Sequence, residues 1–351
     1  MSKVRVVVVA HLASVRRGIA EGLARDAAIE VAASASSGPL ALRRIEELGP
    51  DVVVLDMTLV EPSGLKTLTA IRKQHPQVRV VVFGGGMSLG ATASVEALLA
   101  GASDYVSAPS GPVGADSANA LTEALGAKVK ALRAALPVTK RKPLPSARAP
   151  AQGPASRVDI VVIGASTGGP DALAVLLRRL PANLPVPVVI VQHMPAAFTR
   201  YLVERFAATS AIPIEAGEDG QVLEPGRAYL APGDHHMVVR DGGGAARISI
   251  HQAPPENSCR PSVDVLLRSV AHAYGRHSLA TILTGMGHDG LQGCELVAAQ
   301  GGQIFAQDEA SSVVWGMPGG VVNAGLARTV LPPSLLATEI ARATKLGRDA
   351  H

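Results

Sequence analysis

The chain is poor in cysteine, poor in aromatic residues and without a long apolar run. Cys259 and Cys294 are the only cysteines among 351 residues, too few for a disulfide framework, and the expected compartment is the cytoplasm. Aromatic residues make up 3%, so the cores must be built from Val, Ile, Leu and Ala. The apolar runs (Val4 to Val9, Val78 to Phe83, Val186 to Val191) stop well short of the ~20 residues that cross a bilayer, so no membrane insertion is expected. No charged, apolar and small-residue series opens the chain as a secretory signal would. Charge of one sign is scarce too, except in one place. Residues 1–110 hold 11 basic against 10 acidic side chains and residues 158–351 hold 14 against 17, while residues 111–157 hold 8 against 2. That basic segment contains Lys140, Arg141, Lys142 and Arg148 among many Pro and Ala residues. It reads as a solvated linker between folded regions, and no nucleic-acid partner is expected.

What the chain does have is core material: 47% of its residues are hydrophobic, enough for two domains of ordinary size. Val4 to Val9 is an almost unbroken β-branched run, the pattern of a strand buried on both faces in a parallel sheet. A helical segment follows, with Val15, Ile19 and Leu23 at four-residue spacing. Further strands are expected near Ile29–Ala33, Val52–Leu55 and Val78–Phe83, with helical stretches between them. A helix carrying Leu121, Leu125, Val129 and Leu132 closes this first region. The alternation predicts a doubly wound parallel sheet. It restarts with a strand at Asp159–Ile163, a helix at Asp171–Leu180, a strand at Val186–Val191 and a helix at Phe198–Ala207. Shorter strands and turns fill Pro213 to Gln252, and strands at Leu279–Leu283 and Gly302–Ala306 flank a helix at Leu291–Ala299. Two α/β domains are therefore expected, over residues 1–135 and 158–351, joined by a linker over 136–157.

The stretch DIVVIGASTGGP is a strand that ends in a glycine-rich turn and opens a helix, with Ser166 at the turn. Strand ends of this kind are where open α/β sheets place their sites. The turn fits the G-x-S-x-G nucleophile elbow. It also resembles a dinucleotide loop, although Ser166 occupies the place of the second glycine. Taken alone it is a phosphate or structural turn about as readily as a nucleophile site. Downstream, VVIVQHMP ends a strand at His193, and ATILTGMGHDG ends another at Asp289. Each has a bland reading, His193 as a strand-end hydrogen bonder and Asp289 as the N-cap of the helix that follows. Together the three strand ends supply a hydroxyl, an imidazole and a carboxylate, the set needed for acyl transfer. The order Ser…His…Asp differs from the Ser…Asp…His of α/β-hydrolases. His235 and His236 lack partner ligands at metal-site spacing, and His288 adjoins Asp289 in a turn. Such a mechanism needs no cofactor and no metal.

These residues, with GASTGG, QHMP, RPSVDVLLRS, ILTGMGHDG and AQDEASSVVWGMPG, closely resemble the CheB family of chemotaxis protein-glutamate methylesterases/glutaminases. The resemblance spans nearly the whole chain. It implies a receiver domain followed by an α/β esterase domain that hydrolyses γ-glutamyl methyl esters and deamidates certain glutamines. Methylated chemoreceptor cytoplasmic domains are the implied partners, together with a histidine kinase or signalling adaptor at the receiver-like domain. Carried over by motif, Ser166 is the nucleophile, His193 the general base and acid, and Asp289 its orienting partner. Thr167 and Met286 match positions beside the nucleophile and the oxyanion site. Rival readings are a non-catalytic signalling adaptor and a nucleotide-binding switch, the latter weakened by the lack of a P-loop lysine.

The first domain departs from the receiver pattern. Receivers hold Mg²⁺ on an acidic pair after the first strand, and here those places are Ala10 and His11. Asp56 matches the phosphoacceptor, but Gly84 replaces the Ser/Thr and Ala108 the Lys that sense the phosphoryl group. Four of five chemical positions are changed on an intact apolar scaffold. Mg²⁺ has lost most of its hard oxygen ligands, and Asp56 is expected to be a relic or helix-associated polar residue, the competing reading being a phosphoacceptor that works by altered chemistry.

Overall fold

A computed structural model of the chain describes residues 3–60, 62–84, 89–106, 115–134, 156–242 and 245–346. The chain divides into two compact units, Met1–Leu136 and Pro137–His351. Most of the segment expected to be a linker, and Ala108, lie outside the described residues.

The first unit holds a five-stranded sheet of β1 (Val4–Val9), β2 (Ile29–Ala35), β3 (Val52–Asp56), β4 (Arg79–Phe83) and β5 (Asp104–Val106). Its order is β2-β1-β3-β4-β5, with every described pairing parallel. The connecting helices are α1 (Ala13–Ala24), α2 (Gly38–Leu48), α3 (Gly64–Gln74), α4 (Leu89–Leu99) and α5 (Ala115–Ala134). The unbroken valine runs follow from burial on both faces: Val6 to Val9, Val52 to Leu55 and Val80 to Val82 are wholly inaccessible. On α5, Leu125, Val129 and Leu132 are buried, as their helical spacing predicts.

The second unit begins with β6 (Ile160–Ala165), α6 (Gly169–Leu177), β7 (Val188–Gln192) and α7 (Ala196–Ala207). Short strands β8 (Ile214–Ala216) and β9 (Ala228–Leu230) precede a hairpin of β10 (His236–Arg240) and β11 (Arg247–His251). There follow α8 (Val263–Tyr274), β12 (Ser278–Ile282), α9 (Leu291–Ala299), β13 (Gln303–Gln307), α10 (Met317–Asn323), β14 (Thr329–Leu331) and α11 (Pro333–Lys345). The main sheet runs β14-β13-β12-β6-β7-β9-β8, all parallel. β7 starts two residues later than its apolar run because Pro187 has no N–H to give the ladder. From β6 the chain winds outward to β7 on one side and later returns to β12 on the other. That reversal puts a crevice at the carboxyl ends of β6, β7 and β12, where open α/β sheets bind ligands. No helix among the described residues is long and apolar enough to cross a membrane.

Candidate active site

The strand register brings the three sequence-predicted side chains to one edge. Gly164 of β6 lies beside Ile282 of β12, and Ala165 lies beside Gln192 of β7. The ladder continues past the strands: the His193 N–H donates to the Ala165 carbonyl at 3.1 Å, and the Ser166 N–H to the Thr284 carbonyl at 3.0 Å. Gln192 ties the first two ends together, its Nε2 donating to the carbonyls of Ser166 (3.0 Å) and His193 (3.3 Å). The sharp exit behind Ser166 needs Gly168, whose φ is +75° and whose added Cβ would lie 2.5 Å from Val313.

His193 and Asp289 are hydrogen-bonded, Nε2 to Oδ2 at 2.7 Å. Asp289 does not cap its own helix. Its carboxylate instead lies at the N-terminus of α8, accepting the N–H groups of Val263 (2.7 Å) and Asp264 (3.1 Å) and the Ser262 hydroxyl (2.8 Å). Asn257 Nδ2 completes the shell at 3.0 Å and reaches Asp264 at 2.8 Å. Val263 can approach because glycines face it: a Cβ on Gly164 or Gly290 would lie 2.6 or 2.9 Å from its Cγ1. Burial alone would raise the Asp289 pKa. The hydrogen bond and charge of His193, with the Val263 N–H and the Ser262 hydroxyl, outweigh burial and hold the carboxyl well below the usual range. Asp264, buried beside this carboxylate, is shifted the other way by desolvation and by Asp289.

The other imidazole nitrogen meets a residue that sequence reasoning missed. Cys259 Sγ lies 3.5 Å from His193 Nδ1. Burial disfavours the charged ring, but the hydrogen bonds and charges of Asp289 and Cys259 prevail, and the His193 pKa is pushed up to about 9. The Ser166 hydroxyl, half-buried, bonds to neither His193 nor any other group among the described residues. The edge thus joins His193 to Asp289, brings Ser166 beside them, and leaves the Ser166–His193 hydrogen bond unformed.

Gly285 packs against the serine, where an added Cβ would fall 2.9 Å from Ser166 Cβ. Met286 is exposed. Thr167 is buried, its carbonyl accepting the Thr284 hydroxyl at 2.9 Å. His236 is buried and structural, bonded to Pro254 O and the Ser262 N–H, while His288 is exposed. Potential metal-ligating atoms of His193, Cys259 and Asp289 lie within 4.8 Å of one another. The Asp289 oxygens already serve five donors, however, which leaves Nδ1 and Sγ alone, short of a zinc ligand set.

In the first unit Asp56 is buried, and its Oδ1 accepts the N–H (2.8 Å) and hydroxyl (2.6 Å) of Thr58. At the end of β1 a guanidinium stands in place of an acidic pair: Arg16 Nη1 donates to the carbonyls of Ala10 (2.7 Å) and His11 (3.1 Å). Gly84 has φ +112°, and a Cβ there would lie 3.0 Å from Asp56 Oδ1, so this backbone favours glycine over Ser or Thr.

A sequence profile described as CheB methylesterase matches residues 161–340, and one described as response regulator receiver domain matches residues 6–114. The chain is 42% identical over 349 residues to the protein-glutamate methylesterase/protein-glutamine glutaminase of Trichodesmium erythraeum, covering 97% of this chain and 99% of that one. It is also 42% identical to a protein of the same name from a Nocardioides species, over 97% of this chain and 96% of the other. Among solved structures, the CheB methylesterase catalytic domain of Thermotoga maritima is similar, at 40% identity and a TM-score of 0.52. That match covers 53% of this chain and 99% of that one.

Proposed function

Since the chain belongs to the CheB methylesterase family, we propose that it hydrolyses glutamyl methyl esters of chemoreceptor cytoplasmic domains through Ser166, His193 and Asp289. One observation carries this reading: the His193–Asp289 pair stands at the same sheet edge as a serine hydroxyl that no other group among the described residues engages. Asp289, ionised and acceptor-only, keeps the ring proton on Nε2, so Nδ1 is the basic nitrogen.

In the reaction Ser166 Oγ attacks the ester carbonyl as Nδ1 takes its proton. Hydrogen bonds of this kind tighten when substrate is bound, and here the ring must turn from Cys259 to the serine. The Met286 N–H, which donates to no other group among the described residues, receives the developing oxyanion. Such a donor is typically worth ~10²–10³ in turnover. Collapse returns the proton to the leaving methanol and leaves a glutamyl-Ser166 ester. Water, deprotonated by His193, then releases the glutamate side chain. A glutamine amide follows the same path with ammonia as the leaving group, and no step needs a cofactor. The test is methanol release from methylated receptor: Ser166→Ala is expected to abolish it while the fold persists, and undiminished release would end the assignment.

We further propose that the receiver-like unit does not gate the esterase by Mg²⁺-dependent phosphorylation. Arg16 brings positive charge to carbonyls where a metal would need carboxylates, and Thr58 occupies an Asp56 oxygen. A histidine kinase or adaptor then meets this unit as a docking partner.

A further inference from the structure

We propose that Cys259 is a positioning residue for this reaction, holding the Nδ1 side of His193 in a sulfur–imidazole contact that Ser166 must displace. The inference rests on the reading of His193 as the base. With Nε2 committed to Asp289, Nδ1 is the one ring nitrogen that can take the serine's proton, and what it faces at rest is Cys259 Sγ at 3.5 Å.

The thiol is placed by the groups that hold the triad's carboxylate. Glu256 to Cys259 form a tight turn closed by two backbone hydrogen bonds, at 3.1 and 2.8 Å, with Asn257 and Ser258 both at positive φ. Asn257 reaches from this turn to Asp289 and Asp264. Glu256 is anchored by a two-pronged pair with Arg268 of α8, both contacts at 2.5 Å. One short turn therefore fixes the orienting acid on one side of the imidazole and a sulfur on the other. Two non-glycine residues in left-handed conformations, one of them Ser258, are a local cost that such a turn accepts.

The groups that face His193 are few. Asp289 comes from the β12–α9 loop and Cys259 from the turn. Asp264 and the Glu256–Arg268 pair act through Asp289. Ser166 and Gln192, from the β6 and β7 ends, are uncharged. Cys259 and Asp289 both favour the protonated ring, against burial. Removing the sulfur leaves Asp289 alone to oppose burial, so the ring loses its proton at lower pH. The kcat/KM of an enzyme with a general base rises through the base's pKa in the free enzyme, so the acid limb should move down.

The experiment is the pH profile of kcat/KM for methanol release by full-length wild type, Cys259→Ala and Cys259→Ser, with the His193 ring titration followed by NMR. The acid limb of Cys259→Ala is expected to fall by half a pH unit or more, about a threefold gain on the rising limb. Cys259→Ser should lie between, and it keeps the test alive should alanine unfold the turn. Profiles and ring titrations that superimpose on wild type, or move upward, overturn the proposal. His193→Gln, run alongside, separates the two failures. If it retains activity, the base assignment falls. If it is inactive while the Cys259 variants match wild type, only the role of Cys259 falls.

Discussion

A carboxylate inside a protein stays charged only when donors replace the water it has lost, and Asp289 has five. That shell keeps it ionised, and in the proposed mechanism it fixes the proton on His193 Nε2 and supports the ring when Nδ1 becomes charged. Asp289→Asn keeps the volume but offers an NH₂ group where acceptors are needed. In a Ser-His-Asp triad the same exchange costs ~10⁴ in kcat, and a loss of 10³-fold or more with little change in KM is expected here. The pair also leaves a mark on stability. His193 has its folded pKa raised from 6.5 to about 9, so its contribution is complete below pH 6.5 and disappears as pH climbs through 9. Asp289 is shifted down, so its contribution is present above its ordinary 3.8 and lost only in stronger acid. Urea unfolding between pH 6.5 and 9 should therefore show stability falling by at most ~1.4 kcal/mol per pH unit. In His193→Gln that component of the slope should be absent, and an unchanged slope would contradict the assignment.

At the scale of elements, the site depends on how closely the first turn of α8 approaches the sheet. Val263 enters a notch between Gly164 and Gly290, and the N–H groups of Val263 and Asp264 thereby reach Asp289. Gly164→Ala puts a methyl 2.6 Å from Val263 Cγ1, too close to remain. It should cost ~1–3 kcal/mol by denaturant unfolding and slow the esterase by loosening the carboxylate's donors. A variant as stable and active as wild type would show that the close approach is dispensable. The strands and helices carrying Ser166, His193 and Asp289 were legible because buried parallel strands are written as valine runs and their ends as glycine-rich turns. β5 and β14, three residues each, are too short to leave a periodic signal in the sequence. Local sequence offers Asp289 as a cap of its own helix, whereas it serves α8 from elsewhere in the chain. Cys259 and Asn257 were missed for a related reason: their partners are 66 and 32 residues away, and local spacing carries no information about such pairs. The available signal was Ser262 just ahead of an amphipathic run, the mark of a helix start that could hold an anion.

At the scale of the whole molecule, two α/β units with the same sheet logic carry different side chains at their strand ends. In each, strand ends gather polar side chains at the carboxyl edge of a parallel sheet. The second unit brings the Ser166 hydroxyl, the His193 imidazole and the Asp289 carboxylate to that edge. In the first, Asp56 is enclosed by Thr58 and backed by a glycine whose extra Cβ would crowd it. Acetyl phosphate or beryllofluoride with Mg²⁺ is accordingly expected to leave the methanol-release rate of the full-length protein unchanged. An activation lost in Asp56→Ala would restore the phosphorelay reading. The claim on which the rest depends is that Ser166, activated by His193, is the group that becomes covalently attached. The most direct measurement is labelling of the full-length protein with a fluorophosphonate, followed by mass-spectrometric mapping of the adduct. The prediction is one equivalent on Ser166, none in Ser166→Ala, and much slower labelling in His193→Gln. Label on Cys259 instead, or no label on a preparation that still releases methanol, would contradict it.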